Sequence, residues 1–455
     1  MGKGIARLEI GLMVAGLIAI AVLRPHGLWG DGGGRYLNLT ELLTTGEAPD
    51  GKYSLIGPLF SAPMWLVGQW WNAREAWVAH YNGVVFALGL LAFYWMLRDR
   101  MPREVLRTFL LLLVFASMFA KHLTLYYGEV FTAVLVAVGT IAVVTEHRGG
   151  WVAIVAGVAN TPASLVGLGF LAIRRAWDTR RAWCLLAVFA AVAVVMAEAW
   201  IRRGSPLLTG YENGNRGHRT IMPYSGLAGF SYPLIFGLLS LLLSFGKGLV
   251  FFAPSFFLPV RERLKDLRTS ADLGALYGMW MAFTVGLLLL YANYWAWTGA
   301  HFWGPRYLLF ASLPACLVLA VRMHRPYDAL LPNVLTLAAL GLSVWVGVSG
   351  AVFGDSAATS AGCLVEGPKY EAPLCYYTPE FSALWYPFVE PPPLDAAQVA
   401  YLIFGLTAGA YLLARPALVV FRQLYDRMTP SAGDDAAGDT GHPAGSISLG
   451  PRRRR

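Results

Sequence analysis

Long uncharged apolar stretches decide what this chain can fold into. IGLMVAGLIAIAVL (Ile10–Leu23) is the first and AWVAHYNGVVFALGLLAFYWML (Ala76–Leu97) the second. A bilayer core about 30 Å thick is crossed by ~20 such residues in a helix. Only 14% of the chain is charged, where a soluble domain carries roughly 25%. The expected fold class is all-α: a polytopic transmembrane helical bundle with extracytoplasmic loops and interfacial helices. The blocks give about 11–12 spans, counting one short helical hairpin.

The net charge of +9 does not point to nucleic acid. Lys and Arg sit in short loops between apolar blocks, which is the positive-inside pattern and speaks of orientation. Lys3 and Arg7 place the N-terminus inside, and the first block reads as an uncleaved span ending near Leu23. Further spans are expected near 76–97, 106–120, 129–145, 182–201, 273–292, 306–322, 329–352 and 397–414. Residues 151–173 are flanked by basic loops on both sides, so one crossing cannot serve. Asn160-Thr161-Pro162 breaks that block, and two short helices meeting there resolve the count. Residues 233–260 exceed one straight span and read as a surface helix followed by a span. Long outside loops fall at about 25–75, 202–232 and 354–395. The transmembrane domain is expected over 1–415. Residues 416–455, ending in four arginines, read as a disordered basic cytoplasmic tail near anionic lipid.

Cys184 and Cys316 lie in apolar blocks and read as packing residues. Cys363 and Cys375 share one polar outside loop, where an oxidising compartment makes a disulfide the expected state. No second Cys or His pair with ligand spacing accompanies them, which weakens a zinc reading.

Three outside features carry the chemistry. Asp31 in GDGGGRY is either a turn former or a carboxylate able to take a proton or hold a metal. Arg35, Arg202, Arg203, Arg216, Arg219, Lys247 and Arg306 lie on the side where cations are disfavoured, so each needs a reason. Lys247 and Arg306 abut apolar runs, and a buried phosphate suits both. Seven aromatic rings crowd Tyr291–Tyr307. They read as an interfacial belt, or as a platform for a sugar ring or a polyprenyl chain.

The order of GDGGGRYLN, YSLIGPLFSAPMWLVG, LTLYYGEVF, GVANTPASLVGLGF, RRGSPLLTGY, LLLSFGKGLVFFAPSFFL and WAWTGAHFWGPRYLLFASLP resembles the GT-C superfamily of membrane glycosyltransferases. The likeness is to bacterial relatives of the protein O-mannosyltransferases and aminoarabinose transferases, over about residues 5–325. The family often has a Lys where Asn160 or Thr161 stands. The resemblance implies transfer of a sugar from a polyprenyl-phosphate donor to a hydroxyl on the outer face of the inner membrane, with inversion. It implies Asp31 as general base and Glu129 as a second acidic group. Lys247, Arg306 and Arg203 become candidates for the donor phosphate. Arg35, Tyr36, Tyr127, Tyr211, Trp297 and Trp303 become candidates for substrate contacts. Implied partners are the lipid-linked sugar, a glycan, lipid or protein acceptor, and membrane lipids. A divalent ion, Mg or Mn, at Asp31 is the one cofactor the family suggests. Asp31 is followed by glycines rather than a second acid, and one carboxylate holds a hard cation poorly, so acid–base action is the simpler expectation. A transporter or flippase, or a ligase or polymerase of lipid-linked saccharides, are the competing readings.

Overall fold

The computed structural model describes residues 3–210, 229–267, 269–300, 302–354 and 372–429. Among these residues there is no strand, only an isolated bridge between Gly27 and Leu125. The helices run in the order α1 (Lys3–Leu23), α2 (Asp31–Thr45), α3 (Ile56–Phe60), α4 (Ala62–Trp70), α5 (Arg74–Ala79), α6 (Tyr81–Leu97), α7 (Arg103–Phe115), α8 (Phe119–His122) and α9 (Gly128–Val144). They continue with α10 (Gly150–Asn160), α11 (Leu165–Thr179), α12 (Leu186–Arg203), α13 (Leu234–Leu243), α14 (Leu249–Phe252), α15 (Arg261–Asp266), α16 (Leu273–Ala292), α17 (Ser312–His324), α18 (Leu330–Phe353) and α19 (Ala396–Met428), with the short helices Pro373–Tyr377 and Tyr386–Val389 between the last two. Seven helical stretches are long and apolar enough to cross a membrane: Gly4–Leu23, Arg74–Leu97, Ala182–Arg203, Leu273–Ala292, Arg306–His324, Leu330–Phe353 and Ala396–Met428. The protein is an all-α, multi-pass membrane protein.

The centre of the bundle is packed from α7, α9, α16 and α17. Phe109, Trp280, Phe283 and Leu319 are at most 1% exposed there. Interior polar groups are paired locally: Trp280 Nε1 donates to Thr140 Oγ1 at 2.6 Å, tying α16 to α9. At the end of the bundle away from Asp31, Glu9 of α1 pairs with Arg107 of α7 and accepts from Tyr411 of α19 at 3.1 Å. Glu104 there pairs with Arg415 and, at 3.2 Å, with His324.

The break at Asn160-Thr161-Pro162 is as expected: α10 ends at Asn160, a 3-10 turn spans Pro162–Ser164, and α11 follows. The arms diverge, α10 packing on α9 and α11 on α16. At 11 residues α10 is roughly 16 Å long, too short to cross.

Four expectations need correction. Asp31 does not sit in a turn. It opens α2, whose first four residues include three glycines, and Gly30 caps it at φ 56°. The expected span 106–120 stops at Phe115, where Ala116 leaves helical geometry. Residues 233–260 hold no span. The chain unwinds at Ser244–Gly248, and Pro254 forces a 3-10 turn after α14. Leu249, Phe252 and Phe256 are buried there, so protein rather than lipid covers the unwound backbone. The boundary at 415 also fails, because α19 continues through Pro416 to Met428. Cys375 is disulfide-bonded, while Cys363 lies outside the described residues. Cys184 and Cys316 are free and buried.

Candidate active site

Asp31 is placed by three elements that meet at one end of the bundle. The N-terminus of α2 supplies the carboxylate, at the end of the helix whose dipole favours negative charge. The 49–55 segment supplies Tyr53, whose hydroxyl donates to Asp31 Oδ1 at 2.7 Å. The turn before α17 supplies Arg306, whose Nη2 donates to Asp31 Oδ2 at 2.7 Å. Burial raises the Asp31 proton affinity, but the Arg306 charge and the Tyr53 hydrogen bond outweigh it. The carboxyl is held below the usual aspartate range. Gly34 is needed for this arrangement, since a Cβ there would stand 2.8 Å from the Tyr53 ring.

Arg306 is the hub. It is 8% exposed, and its guanidinium lies over the rings of Tyr127, Phe302 and Tyr307 at 5.1, 5.5 and 4.8 Å. Its Nε stands 3.8 Å from Glu129 Oε1, an ion pair beyond hydrogen-bond range. One cation thus separates two carboxylates. Asp31 has both oxygens engaged, while Glu129, at the start of α9, has only the distant ion pair among the described residues. Burial pushes the Tyr127 hydroxyl up to about 12, so it stays protonated beside them. His122 adjoins the group at 5.3 Å from Phe302, with neither ring nitrogen hydrogen-bonded. Burial, with Arg306 and Lys121 adding, lowers it to about 3, so the ring is neutral.

The Tyr53 segment is clasped by the last turn of α12. Glu198 accepts from Ser54 Oγ at 2.8 Å and Leu55 N at 2.7 Å. Arg202 donates to Glu198 at 3.0 Å, to Pro49 O at 2.9 Å and to Tyr53 O at 2.6 Å. Arg203 donates to Gly51 O and to Leu208 O and pairs with Asp50 at 3.5 Å. A second knot is Asn160, fully buried at the broken helix. Its Oδ1 accepts from Arg35 at 3.0 Å and Gly57 N at 3.1 Å, and its Nδ2 donates to Gly128 O at 2.9 Å. Asn160 so joins α2, α3, α9 and α10. Asn160→Ala is expected to lower stability by about 3 kcal/mol, because it strands Arg35 and two backbone groups in a buried place. Thermal melting in detergent checks this, and a melting point equal to native refutes it.

The structure brings Asp31, Glu129, Arg306 and Tyr127 together. It places the other sequence candidates elsewhere or in other work. Lys247 is buried with its ammonium donating to the carbonyls of Ala300, Phe302 and Gly304. It shapes the turn that delivers Arg306. Lys247→Met is expected to cut the rate of the reaction proposed below by roughly 10–100-fold through misplacing Arg306, and to lower the melting point as well, because three carbonyls lose their donor. An unchanged rate refutes this. Arg35 is bound to Asn160 and Ser54 O rather than to the Asp31 carboxylate. Tyr36 packs with Leu39, Trp65 and Tyr81 in a small core. Trp297 packs on Tyr232 and Tyr376, and Trp303 on Phe252, both at most 4% exposed. Burial, not an open platform, is the observed state of both tryptophans. Tyr211, Arg216 and Arg219 lie outside the described residues.

Metal binding fits this arrangement poorly. Among the described residues no three His, Cys, Asp or Glu side chains are grouped to hold an ion. Arg306 fills the space between the two carboxylates where a hard cation would sit.

Tyr53, Glu198 and His122 are the site residues that sequence reasoning does not single out, and it reads Asn160 only as part of a helix break and Tyr307 only as one of seven crowded rings. Glu198 and Arg202 carried a signal: an i, i+4 opposite-charge pair ending an apolar run.

No family model matches the chain, and no curated protein matches its sequence. Two solved structures do match in shape. One is ArnT from Cupriavidus metallidurans bound to undecaprenyl phosphate, at 13% identity and TM-score 0.51, covering 92% of this chain and 79% of that one. The other is the apo state of the same protein, at 11% identity and TM-score 0.50, covering 94% and 79%. The chain shares the fold of ArnT.

Proposed function

We propose that this GT-C-fold protein is an inverting glycosyltransferase. It moves a sugar from a polyprenyl-phosphate donor to a hydroxyl acceptor at the outer face of a bacterial inner membrane, with both termini cytoplasmic. The observation that carries the proposal is Arg306 held between Asp31 and Glu129 under aromatic cover. The similar fold of a protein crystallised with undecaprenyl phosphate supports the donor class.

Arg306 offers the donor phosphate a planar fork in a place largely closed to water. The phosphate competes with Asp31 for that fork. As the guanidinium turns to the phosphate, Asp31 loses its counter-ion and its proton affinity rises. The carboxylate becomes a better base only when the donor is present. The acceptor hydroxyl attacks the anomeric carbon, and its proton passes to Asp31 as the new C–O bond forms. The bond from the anomeric carbon to the phosphate oxygen breaks, and polyprenyl phosphate leaves with the electron pair. Arg306 stabilises the charge gained. Glu129 keeps Arg306 paired while Asp31 is released. Attack on the face opposite the leaving group inverts the anomeric centre. No metal ion enters these steps.

The test is a membrane assay with radiolabelled polyprenyl-phosphate sugars. Native protein should transfer label to a hydroxyl acceptor with inverted configuration. Absence of transfer from every lipid-monophosphate sugar offered, by protein that is folded, overturns the proposal in favour of a carrier for lipid-linked saccharides.

A further inference from the structure

A cavity system lies on the far side of α2 from the Asp31 carboxylate. Its first part, about 530 Å³, is bounded by Leu17 and Ile18 of α1, Trp77 of α5, His80 between α5 and α6, and Gly83 and Ala87 of α6. Two of the membrane-crossing stretches form its walls, and its lining is almost wholly apolar. Its second part, about 870 Å³, is bounded by Trp29, Asn72, Arg74 and Glu75 and by Gly33 and Tyr36 of α2. His26 and Ala76 line both parts, so the two adjoin. The imidazoles of His26 and His80 stack at 4.0 Å where they join. Gly33 and Tyr36 stand roughly 140–200° round the helix from Asp31 at about 100° per residue. The cavity is therefore separate from the Asp31–Arg306 group.

A cavity with an apolar half at the level of the spans and a polar half beyond it selects an amphiphile. Exposed Trp29, Trp70 and Trp71 around the polar half mark the membrane interface. An extended peptide segment in the apolar half would leave its backbone groups unpaired there. Arg74 supplies charge complementarity. Its guanidinium is braced over the Trp65 ring at 4.2 Å, and among the described residues it has no hydrogen bond and no ion pair. Its donors remain available for an anion at the mouth of the apolar groove.

We propose that a glycerophospholipid occupies this cavity, acyl chain in the groove between α1 and α6 and phosphate on Arg74. The site is distinct from the one proposed for the sugar donor, and the lipid buttresses α2 from behind. The experiment uses purified full-length protein in detergent and phosphatidylglycerol carrying a diazirine on one acyl chain. After irradiation, the labelled peptides are mapped by mass spectrometry. Label should concentrate on residues 17–21 and 83–87 and be competed away by unlabelled phosphatidylglycerol. It should fall roughly tenfold in Arg74→Gln, the loss of one charge-assisted hydrogen bond. Ala87→Trp, which fills the groove without touching Arg74, should abolish it. Should Arg74→Gln fail to fold, Ala87→Trp decides alone. Two results overturn the proposal. One is label spread evenly over lipid-facing positions such as Phe189 and Phe421 and unchanged by Ala87→Trp, which is annular lipid only. The other is efficient disulfide crosslinking of a Gly83→Cys variant between two copies in the membrane, which makes the groove a helix–helix interface. Neither readout depends on sugar transfer, so this site and the proposed activity fail separately.

Discussion

Asp31→Asn is expected to reduce sugar transfer by roughly 10²–10⁴-fold, the range for losing a positioned general base. The amide still accepts one hydrogen bond, from Tyr53 or Arg306. Arg306 keeps Glu129 as a counter-ion, so the buried guanidinium is not left bare. The protein should therefore fold and bind donor while failing in the proton transfer. The pH dependence gives a sharper check. In the free protein the Asp31 carboxyl is held below the usual aspartate range, chiefly by Arg306 against the opposing effect of burial. A depressed carboxyl is a base only while ionised, so activity is lost as pH falls through its depressed value. The acid limb of kcat/KM, which reports the free enzyme, should lie below the ordinary aspartate range. The acid limb of kcat, which reports the donor complex, should lie higher, because the phosphate has drawn Arg306 away. Coincident acid limbs would remove the idea of a base released by its substrate. Near-native transfer by folded Asp31→Asn would remove Asp31 as the base altogether. Its contribution to stability has the same sign: present above the unfolded value and lost as pH falls through the folded one.

Much of the architecture was legible because apolar runs and basic loops are dictated by the bilayer. Span 273–292 was read to the residue, and the break at Asn160-Thr161-Pro162 was visible from a single proline. The failure at 233–260 has a physical cause. At 233–260 the sequence is apolar enough to span, but glycines and Pro254 unwind it where neighbouring helices, not lipid, cover the backbone. Hydropathy cannot tell those two surroundings apart. The candidate site was half legible. Asp31, Glu129 and Arg306 were singled out from separate parts of the sequence, and the structure unites them. Lys247 was legible as a cation with an unusual location, but its carbonyl partners lie more than fifty positions away, which only the fold reveals. Asn160 looked like part of a helix break. Its role as the acceptor for Arg35 comes from a contact across 125 positions.

Arg306→Lys is expected to lower kcat by roughly 10²–10³-fold, the cost of losing one preorganised donor to developing charge. The charge is kept, so the loss tests geometry rather than electrostatics alone. A guanidinium reaches Asp31 through Nη2 and faces Glu129 through Nε from one plane. A lysine ammonium is a single point and cannot serve both carboxylates together. The aromatic enclosure of Tyr127, Phe302 and Tyr307 suits a flat cation, and Tyr307 is itself fixed by stacking on Tyr291 at 4.2 Å. A lysine there settles on one carboxylate. If it settles on Asp31, the base stays paired after donor binding and its acid limb in kcat no longer shifts upward. If it settles on Glu129, Asp31 loses its partner in the free protein and the limb of kcat/KM moves up to meet that of kcat. Either way the separation between the two limbs should collapse in Arg306→Lys while that in Tyr127→Phe persists. A separation retained in Arg306→Lys would mean that Arg306 holds the site together but does not gate the base. The carboxylate would then be released by another group, and Lys121, buried beside His122, would be the first to examine.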